Sequence, residues 1–206
     1  MSFETDSWPY VPARLQVKWD KKRPVRVIVM HDMEAPEKDK TAENVARYFQ
    51  SAAAGGSAHI CVDSDSIVQC VLDNNQAAGA NGVNKDGIHV ELAGYAEQTE
   101  AEWLDAYGLL MLERAAHAVA QYCMKYDIPA IQLTNEELVS GKKGIIGHYQ
   151  ASAVYKPNKG HNDPGNGFPW KFFLERVQVQ VNVYRNLAAA KDAEELIFTQ
   201  TGLPKD

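Results

Sequence analysis

Strand-like and helix-like segments alternate along most of this 206-residue chain, and this order restricts the folds open to it. Residues 25–31 form a β-branched run that predicts a buried strand, and residues 87–94 and 144–148 predict two more. Residues 57–72 predict a hairpin, in which two strand runs are joined by the polar residues 63–66. Helices that alternate with strands pack most economically on a sheet. The chain is therefore predicted to be an α/β protein with a sheet flanked by helices.

Three sequence patterns typical of the first turn of a helix predict helices between these strands. Thr41 is the expected N-cap of a helix that continues through residue 49. Thr99 and Glu102 have the spacing of a capping box and predict the start of the longest helix, and Thr134 with Glu137 repeats that spacing for a short helix. The predicted apolar face of the longest helix consists of Trp103, Tyr107, Leu110, the stem of Arg114, and Ala118.

The two ends of the chain are assigned to arms. Residues 1–24 contain prolines and aromatics without a regular period and predict an extended N-terminal arm. Residues 25–176 form the main domain, and residues 177–206 form a C-terminal tail expected to pack on it. Within the tail region, residues 176–186 alternate with period two, which favours a strand, whereas the flanking segments favour helix.

Composition argues against several classes of partner. The formal net charge of −6 argues against nucleic-acid binding, which needs a basic surface. No apolar run reaches the ~18 residues of a membrane span. The N-terminal segment lacks the basic start and apolar core of a signal peptide, so we expect a monomer made in the cytoplasm without one. Cys61 and Cys70 lie in adjacent strand runs and could pair, but buried free thiols are favoured because no CxxC motif is present.

The most distinctive chemistry lies between residues 147 and 170. This stretch places His148, His161 and Asp163 around a loop rich in lysine, proline and glycine, while His31 ends the first buried strand. Two histidines and one carboxylate on loops after strands are the residues that a catalytic zinc site needs, with its fourth position open to water. Each residue alone has a simpler interpretation. A histidine after a buried strand is most often structural, and aspartate before proline favours a turn.

Four segments, in this order, resemble the type 2 family of zinc-dependent N-acetylmuramoyl-L-alanine amidases. They are VIVMHDMEA, SAHICVDSDSIVQCV, DGIHVELAG and GHYQASAVYKPNKGHNDPG. That family includes phage endolysins and muropeptide-recycling amidases, and it shares its fold with peptidoglycan-recognition proteins. The resemblance covers residues 25–175. It implies a central mixed β-sheet flanked by helices, and one zinc ion per chain held by His31, His148 and Asp163.

The same resemblance implies two catalytic residues. Glu91 would be the general base. The alternative is a structural carboxylate in an ion pair with a lysine or arginine, since an unpaired carboxylate in a buried strand is costly. His161 stands where the muropeptide-recycling branch has a lysine. It would donate a hydrogen bond to the developing oxyanion or protonate the leaving amine; the alternative is a solvated loop residue.

Other positions near the predicted groove are assigned to substrate or to support. Asn81 and His89 are predicted to contact substrate, because His89 shares a strand face with Glu91. Asn81 and Asn84 have the alternative role of forming turns. His59 is expected to pack beside the metal ligands without binding the metal.

Two classes of function fit these expectations. The first is an amidase that cuts the bond between N-acetylmuramic acid and L-alanine in peptidoglycan. The second is a non-catalytic peptidoglycan-binding module of the same fold, which the complete ligand set disfavours. Among enzymes, the resemblance favours a phage endolysin acting on the bacterial cell wall, with a cytosolic recycling amidase for anhydro-muropeptides as the alternative.

Overall fold

The computed structural model describes residues 3–156 and 160–201, with the side chains of the last helix described as far as residue 192. In chain order the elements are β1 (Gln16–Val17), β2 (Val27–Asp32), α1 (Thr41–Gln50), β3 (Ile60–Val62), β4 (Ile67–Gln69), β5 (Gln76–Ala77), β6 (Gly87–Leu92), α2 (Glu100–Trp103), α3 (Ala106–Tyr126), α4 (Asn135–Val139), β7 (Gly144–Gly147), α5 (His148–Tyr155) and α6 (Trp170–Thr201). Within this range no helix combines the length and apolar character needed to cross a bilayer.

The main sheet has five strands in the order β4-β3-β6-β2-β7. β2 pairs in parallel with β6 and β7, and β3 pairs in parallel with β6. β4 is antiparallel to β3, and the predicted hairpin turn at residues 63–66 joins them. This arrangement confirms the predicted α/β class with a mixed sheet. All six residues of β2 are buried, as expected for a strand with parallel neighbours on both sides.

The C-terminal segment differs from its prediction. Residues 176–186 were expected to favour a strand, but they lie inside the single helix α6. Phe173, Val177 and Val181 recur at intervals of four and are buried in the main core together with residues of α3. The intervening Val179 and Val183 are exposed, so the period-two pattern arises from one buried and one exposed helical stripe.

The predicted start of the long helix is also corrected. The Thr99–Glu102 capping box is present, but it caps the four-residue helix α2. α3 begins after Asp105, whose side chain accepts a hydrogen bond from the Gly108 N–H at 2.8 Å. This second start shifts the buried face, which leaves Leu110 60% exposed. The helix after α3 is capped by Thr134 and Glu137 as predicted.

The first helix begins one residue earlier than predicted. Lys40 is the N-cap of α1, in the left-handed conformation, and Thr41 is the first helical residue. The hydroxyl of Thr41 donates to the carbonyl of Pro36 at 2.8 Å. The Asp63 carboxylate from the hairpin turn accepts from the Ala42 N–H at 2.9 Å and so satisfies a donor of the first turn.

The N-terminal segment crosses the hairpin and reaches the helical face. The N–H of Val11 donates to Gln69 O, and the N–H of Ala13 donates to Cys70 O, each at 2.8 Å. Further toward the N-terminus, the backbone of Asp6 donates to the Gln121 side chain in α3. Cys61 and Cys70 are buried free thiols, with their sulfurs 3.7 Å apart.

Candidate metal centre

His31, His148 and Asp163, here called the donor triad, converge at the carboxyl edge of the parallel strands. His31 lies near the end of β2, and His148 begins α5 directly after β7. The Asp163 Oδ2 atom lies 2.9 Å from Nδ1 of His31 and 3.0 Å from Nδ1 of His148. All three residues are buried, and one donor atom from each lies within 4.8 Å of the others.

The backbone around Asp163 holds its carboxylate in place. The Asp163 carbonyl accepts from the Tyr149 N–H at 3.1 Å, which ties this loop to the first turn of α5. A cis peptide bond joins Asp163 to Pro164, and Gly165 follows with φ of 97°. A Cβ at residue 165 would lie 2.0 Å from the Ala96 carbonyl oxygen, so this close approach requires glycine.

The electrostatics favour an ionised Asp163 carboxylate and a neutral His31 imidazole. Burial alone would raise the pKa of Asp163, but hydrogen bonds from His148 and His31 outweigh it and hold that pKa well below its usual value. Burial lowers the pKa of His31, which keeps its imidazole neutral. Metal binding requires an ionised carboxylate and neutral imidazoles.

The donor triad fits a zinc ion. Zinc–ligand bonds of about 2.0–2.1 Å in tetrahedral geometry place ligand atoms roughly 3.3 Å apart. The 2.9 and 3.0 Å separations between the Asp163 oxygen and the two imidazole nitrogens are close to that value. Two nitrogens and one carboxylate oxygen also form a donor set common in catalytic zinc sites.

A cavity of about 250 Å³ opens beside the donor triad. Its lining residues are His31, Asp32, Glu34, Phe49, Gly56, Ser57, Ala78, Gly79, Glu91, His148, His161, Asn162 and Asp163. Glu91 lies opposite His31 in the β2–β6 register. Burial, together with the charges of Asp163 and Asp32, raises the pKa of Glu91 well above its usual value.

His161 lies at the rim of this cavity, with 60% of its side chain exposed. Its ring stacks on His148, with centroids 4.0 Å apart and an interplanar angle of 17°. Its Nδ1 lies 3.6 Å from Oδ1 of Asp163, and its backbone N–H donates to Ser152 Oγ at 3.2 Å. Partial burial and the neighbouring His148 lower the pKa of His161, so its neutral form predominates near pH 7.

The two predicted substrate-binding residues are not on the cavity wall. Asn81 is exposed to solvent and does not line the cavity. Its neighbour Asn84 forms a turn, accepting from the N–H groups of Gly79 and Ala80 at 3.0 and 2.7 Å. His89 has no exposed surface. Its ring contacts His31 Nε2 and packs against the backbone of Gly79, which separates it from the cavity.

One cavity residue was missed by the sequence analysis. Asp32 is buried, its Oδ1 accepts from the Glu34 N–H at 2.9 Å, and its Oδ2 has no hydrogen-bond partner among the described residues. Burial raises the pKa of Asp32 to about 7. The signal available in the sequence was its position directly after His31, at the end of the same strand.

Comparison with solved structures supports the same fold. The hydrolase AmiA of Staphylococcus aureus, in complex with its ligand, superposes with a TM-score of 0.67 at 14% identity, over 89% of this chain and 87% of that chain. An AmpD derivative gives a TM-score of 0.57 at 19% identity, over 88% of this chain and 98% of that chain. The endolysin amidase LysCS of Clostridium intestinale gives 0.53 at 14% identity, over 85% and 98%.

Curated protein sequences give no match to this chain. A family model does match, over residues 21–166, which is well over half of the sequence. The match includes both histidines and the aspartate of the donor triad, and the model is that of Amidase_2. The chain therefore belongs to the N-acetylmuramoyl-L-alanine amidase family.

Proposed function

We propose that this chain is a zinc amidase that hydrolyses the bond between N-acetylmuramic acid and L-alanine in polymeric peptidoglycan, in the role of a phage endolysin. The observation that carries the proposal is the convergence of the donor triad on a cavity that also contains Glu91. A module that only binds peptidoglycan has no need for three buried metal donors beside a general base.

In this proposal the donor triad holds one zinc ion. When bound there, zinc would polarise the scissile carbonyl and make the attacking water more acidic. Glu91 accepts the proton of the attacking water and passes it to the departing amine of L-alanine. The raised pKa of Glu91 makes it a stronger base than an exposed carboxylate, and a nearby cation shifts the value back toward the working pH.

His161 is assigned to the oxyanion that develops on the scissile carbonyl. Its imidazole is neutral near pH 7 and partly exposed at the cavity rim, so an N–H can point toward bound substrate. The ring stacks on His148 and therefore approaches the reaction site from the loop side. Hydrogen-bond donors aimed at a developing oxyanion stabilise the transition state more than the ground state.

The endolysin role is supported by similarity to solved structures and not by any particular residue of the site. LysCS and a mutant protein from Bacillus subtilis, at 14% and 17% identity, both carry the description endolysin. The AmpD likeness, at 19% identity, keeps the recycling alternative open to test. The two roles differ in substrate, because an endolysin must act on the polymeric wall and a recycling enzyme on soluble anhydro-muropeptides.

One experiment tests the amidase and distinguishes these roles. The purified protein is assayed for zinc, then incubated with intact sacculi and with soluble anhydro-muropeptides, and the products are identified by mass spectrometry. We expect about one zinc per chain and release of peptides with a free L-alanine amine from intact sacculi. His148→Ala should lose both zinc and turnover, whereas His117→Ala, on α3, should keep both.

Each alternative has its own outcome. A fully active, metal-free protein would exclude the zinc mechanism. Turnover of anhydro-muropeptides with intact sacculi left uncut would assign the protein to recycling. A zinc-free, inactive protein that still sediments with sacculi would be a binding module.

A further inference from the structure

Two further histidines lie behind His31 and continue away from the cavity. His31 Nε2 lies 3.0 Å from His89 Nδ1. The His89 ring stacks on His59, with centroids 5.7 Å apart and an interplanar angle of 13°. Neither His89 nor His59 has exposed surface, and neither lines the cavity. The hydrolytic mechanism proposed above uses neither side chain, so their placement needs a separate explanation.

The proton on His59 is fixed by its surroundings. His59 Nδ1 accepts a hydrogen bond from the backbone N–H of His89 at 2.9 Å, so Nδ1 carries no proton. Burial lowers the pKa of His59 well below its usual value, and the ring is therefore neutral. Its proton is therefore on Nε2, which lies 3.1 Å from the Asn75 carbonyl oxygen and donates to it. The Arg23 Nη2 atom lies 3.0 Å from the same nitrogen, finds no lone pair there, and donates to the Asp73 carbonyl instead. His59 thus binds the backbone N–H of His89, and this contact does not determine which nitrogen of the His89 ring carries the proton.

The contact between His31 and His89 can be made in two ways. Either His89 Nδ1–H donates to His31 Nε2, or His31 Nε2–H donates to His89 Nδ1. In the first arrangement the proton of neutral His31 is on Nδ1, where it donates to Asp163. In the second, Nδ1 of His31 presents a lone pair. Only the second arrangement leaves His31 able to bind a metal ion through Nδ1.

We infer that His89 is the positioning residue that accepts the Nε2–H of His31, and so fixes the tautomer in which His31 Nδ1 faces the metal. The inference rests on the proposed zinc function. A ligating histidine commonly donates its other N–H to a carboxylate or carbonyl. Here the atom within hydrogen-bond distance of His31 Nε2 is the nitrogen of another imidazole.

The surroundings of His89 support this role. Its Nε2 has no hydrogen-bond partner among the described residues, although it is fully buried. A buried polar atom without a partner is costly, so the position of this ring needs an explanation. Nε2 is unpaired in either tautomer, so the contact between Nδ1 and His31 Nε2 is the hydrogen bond that orients the His89 ring.

Gly79 keeps the His89 ring at this position. A Cβ at residue 79 would lie 2.5 Å from His89 Nδ1, so the ring packs directly against the glycine backbone. The ring therefore fills its space, and a test substitution has to preserve ring volume. His89→Phe does so while removing the acceptor. His89→Asn shortens the side chain but places an amide oxygen near the position of Nδ1.

The test measures zinc affinity by competition with a chromophoric chelator, for the full chain and for three variants. His89→Phe should bind zinc about 10- to 100-fold more weakly, the usual effect of losing the partner of a ligating histidine. His89→Asn should recover most of that loss. His117→Phe, which removes a histidine that does not contact the donor triad, should match the unmodified protein. Urea unfolding of each variant establishes that it is folded.

A second readout reports the tautomer directly. In the zinc-loaded protein, two-bond ¹H–¹⁵N correlations of the imidazoles should show His89 protonated on Nε2 and bare on Nδ1. A His89 protonated on Nδ1 in the loaded protein would overturn the inference, as would a folded His89→Phe protein with unchanged zinc affinity. Failure of the unmodified protein to bind zinc would instead refute the proposed metal centre.

Discussion

At the scale of single residues, the position of Glu91 supports the proposed general base over an ion-paired acid. It lies opposite His31 in the sheet register and lines the cavity, and no ion pair to it is found among the described residues. The alternative of a carboxylate paired with a lysine or arginine therefore has no support from its contacts. What raises its pKa is burial, followed by the repulsion of Asp163 and Asp32.

We expect Glu91→Gln to keep zinc and lose turnover by roughly 10²-fold or more, the usual effect of removing a general acid–base group. Glutamine preserves the size of the side chain and cannot accept the proton of water. Zinc content and initial rate on sacculi, measured on the same preparation, test this expectation. A zinc-loaded Glu91→Gln protein with full activity would return Glu91 to a structural role.

His161 tests the oxyanion assignment. His161→Ala should keep zinc and lower turnover by about 10²- to 10³-fold, the usual effect of losing one oxyanion donor. His161→Lys should recover part of the rate, since lysine also donates a hydrogen bond and occupies this position in the recycling branch that the sequence resembles. Loss of zinc in His161→Ala would make His161 a ligand, and a full rate would make it a surface residue.

At the scale of secondary-structure elements, the strands were predicted better than the helices. β-branched runs and a polar turn mark β2 and the β3–β4 hairpin because those signals are local. α6 was partly missed because its alternating valines fit a strand as well as a helix. Only packing against α3 decides between them, and that contact joins segments that are distant in the sequence.

The same limit applies to the site. The donor triad could be proposed from the sequence because the segments that contain it resemble the amidase family, whereas each residue alone also had a structural interpretation. The period of β6 correctly places His89 and Glu91 on one face. It could not show that the backbone of Gly79 separates His89 from the cavity, because that contact comes from another segment.

Two valines in α6 provide a matched test of its packing. Val177 is buried in the core, whereas Val179 is 46% exposed. Val177→Ala should lower the free energy of unfolding by roughly 1.5–3 kcal/mol, the value of burying such a side chain. Val179→Ala should change it by less than about 0.5 kcal/mol, as for most surface substitutions. Urea unfolding followed by circular dichroism measures both. Equal losses would instead fit a strand, in which the two valines share a face.

At the scale of the whole molecule, the described part of the N-terminal segment and the first half of α6 pack on the domain that the family match defines. The Asp6 carboxylate, His117 and Gln121 of α3, and the Tyr184 hydroxyl of α6 form one hydrogen-bonded group. Residue 6 and residue 184 both lie outside the matched range of 21–166. We therefore propose that the N-terminal arm and the first half of α6 fold together with the catalytic domain.

The donor triad also connects distant parts of the chain, so zinc should stabilise the whole fold. His31 and Asp163 are 132 residues apart, and in the described part of the loop the Asp163 carbonyl also accepts from the Tyr149 N–H. A ligand that binds only the folded state adds about 2.7 kcal/mol at 100 times its dissociation constant and about 4.1 kcal/mol at 1,000 times. At roughly 2–4 °C per kcal/mol for a chain of this size, removing zinc with a chelator should lower the melting temperature by roughly 5–15 °C.

Scanning calorimetry with chelator, and again after zinc is restored, measures this effect. His148→Ala provides the control, because a protein without the site should melt at the same temperature with and without chelator. Restored zinc should return the unmodified protein to its original melting temperature and leave the variant unchanged. If the unmodified protein contains one zinc per chain yet melts identically after the metal is removed, the ion is not bound where it joins β2, α5 and the Asp163 loop, and the donor triad is not its site.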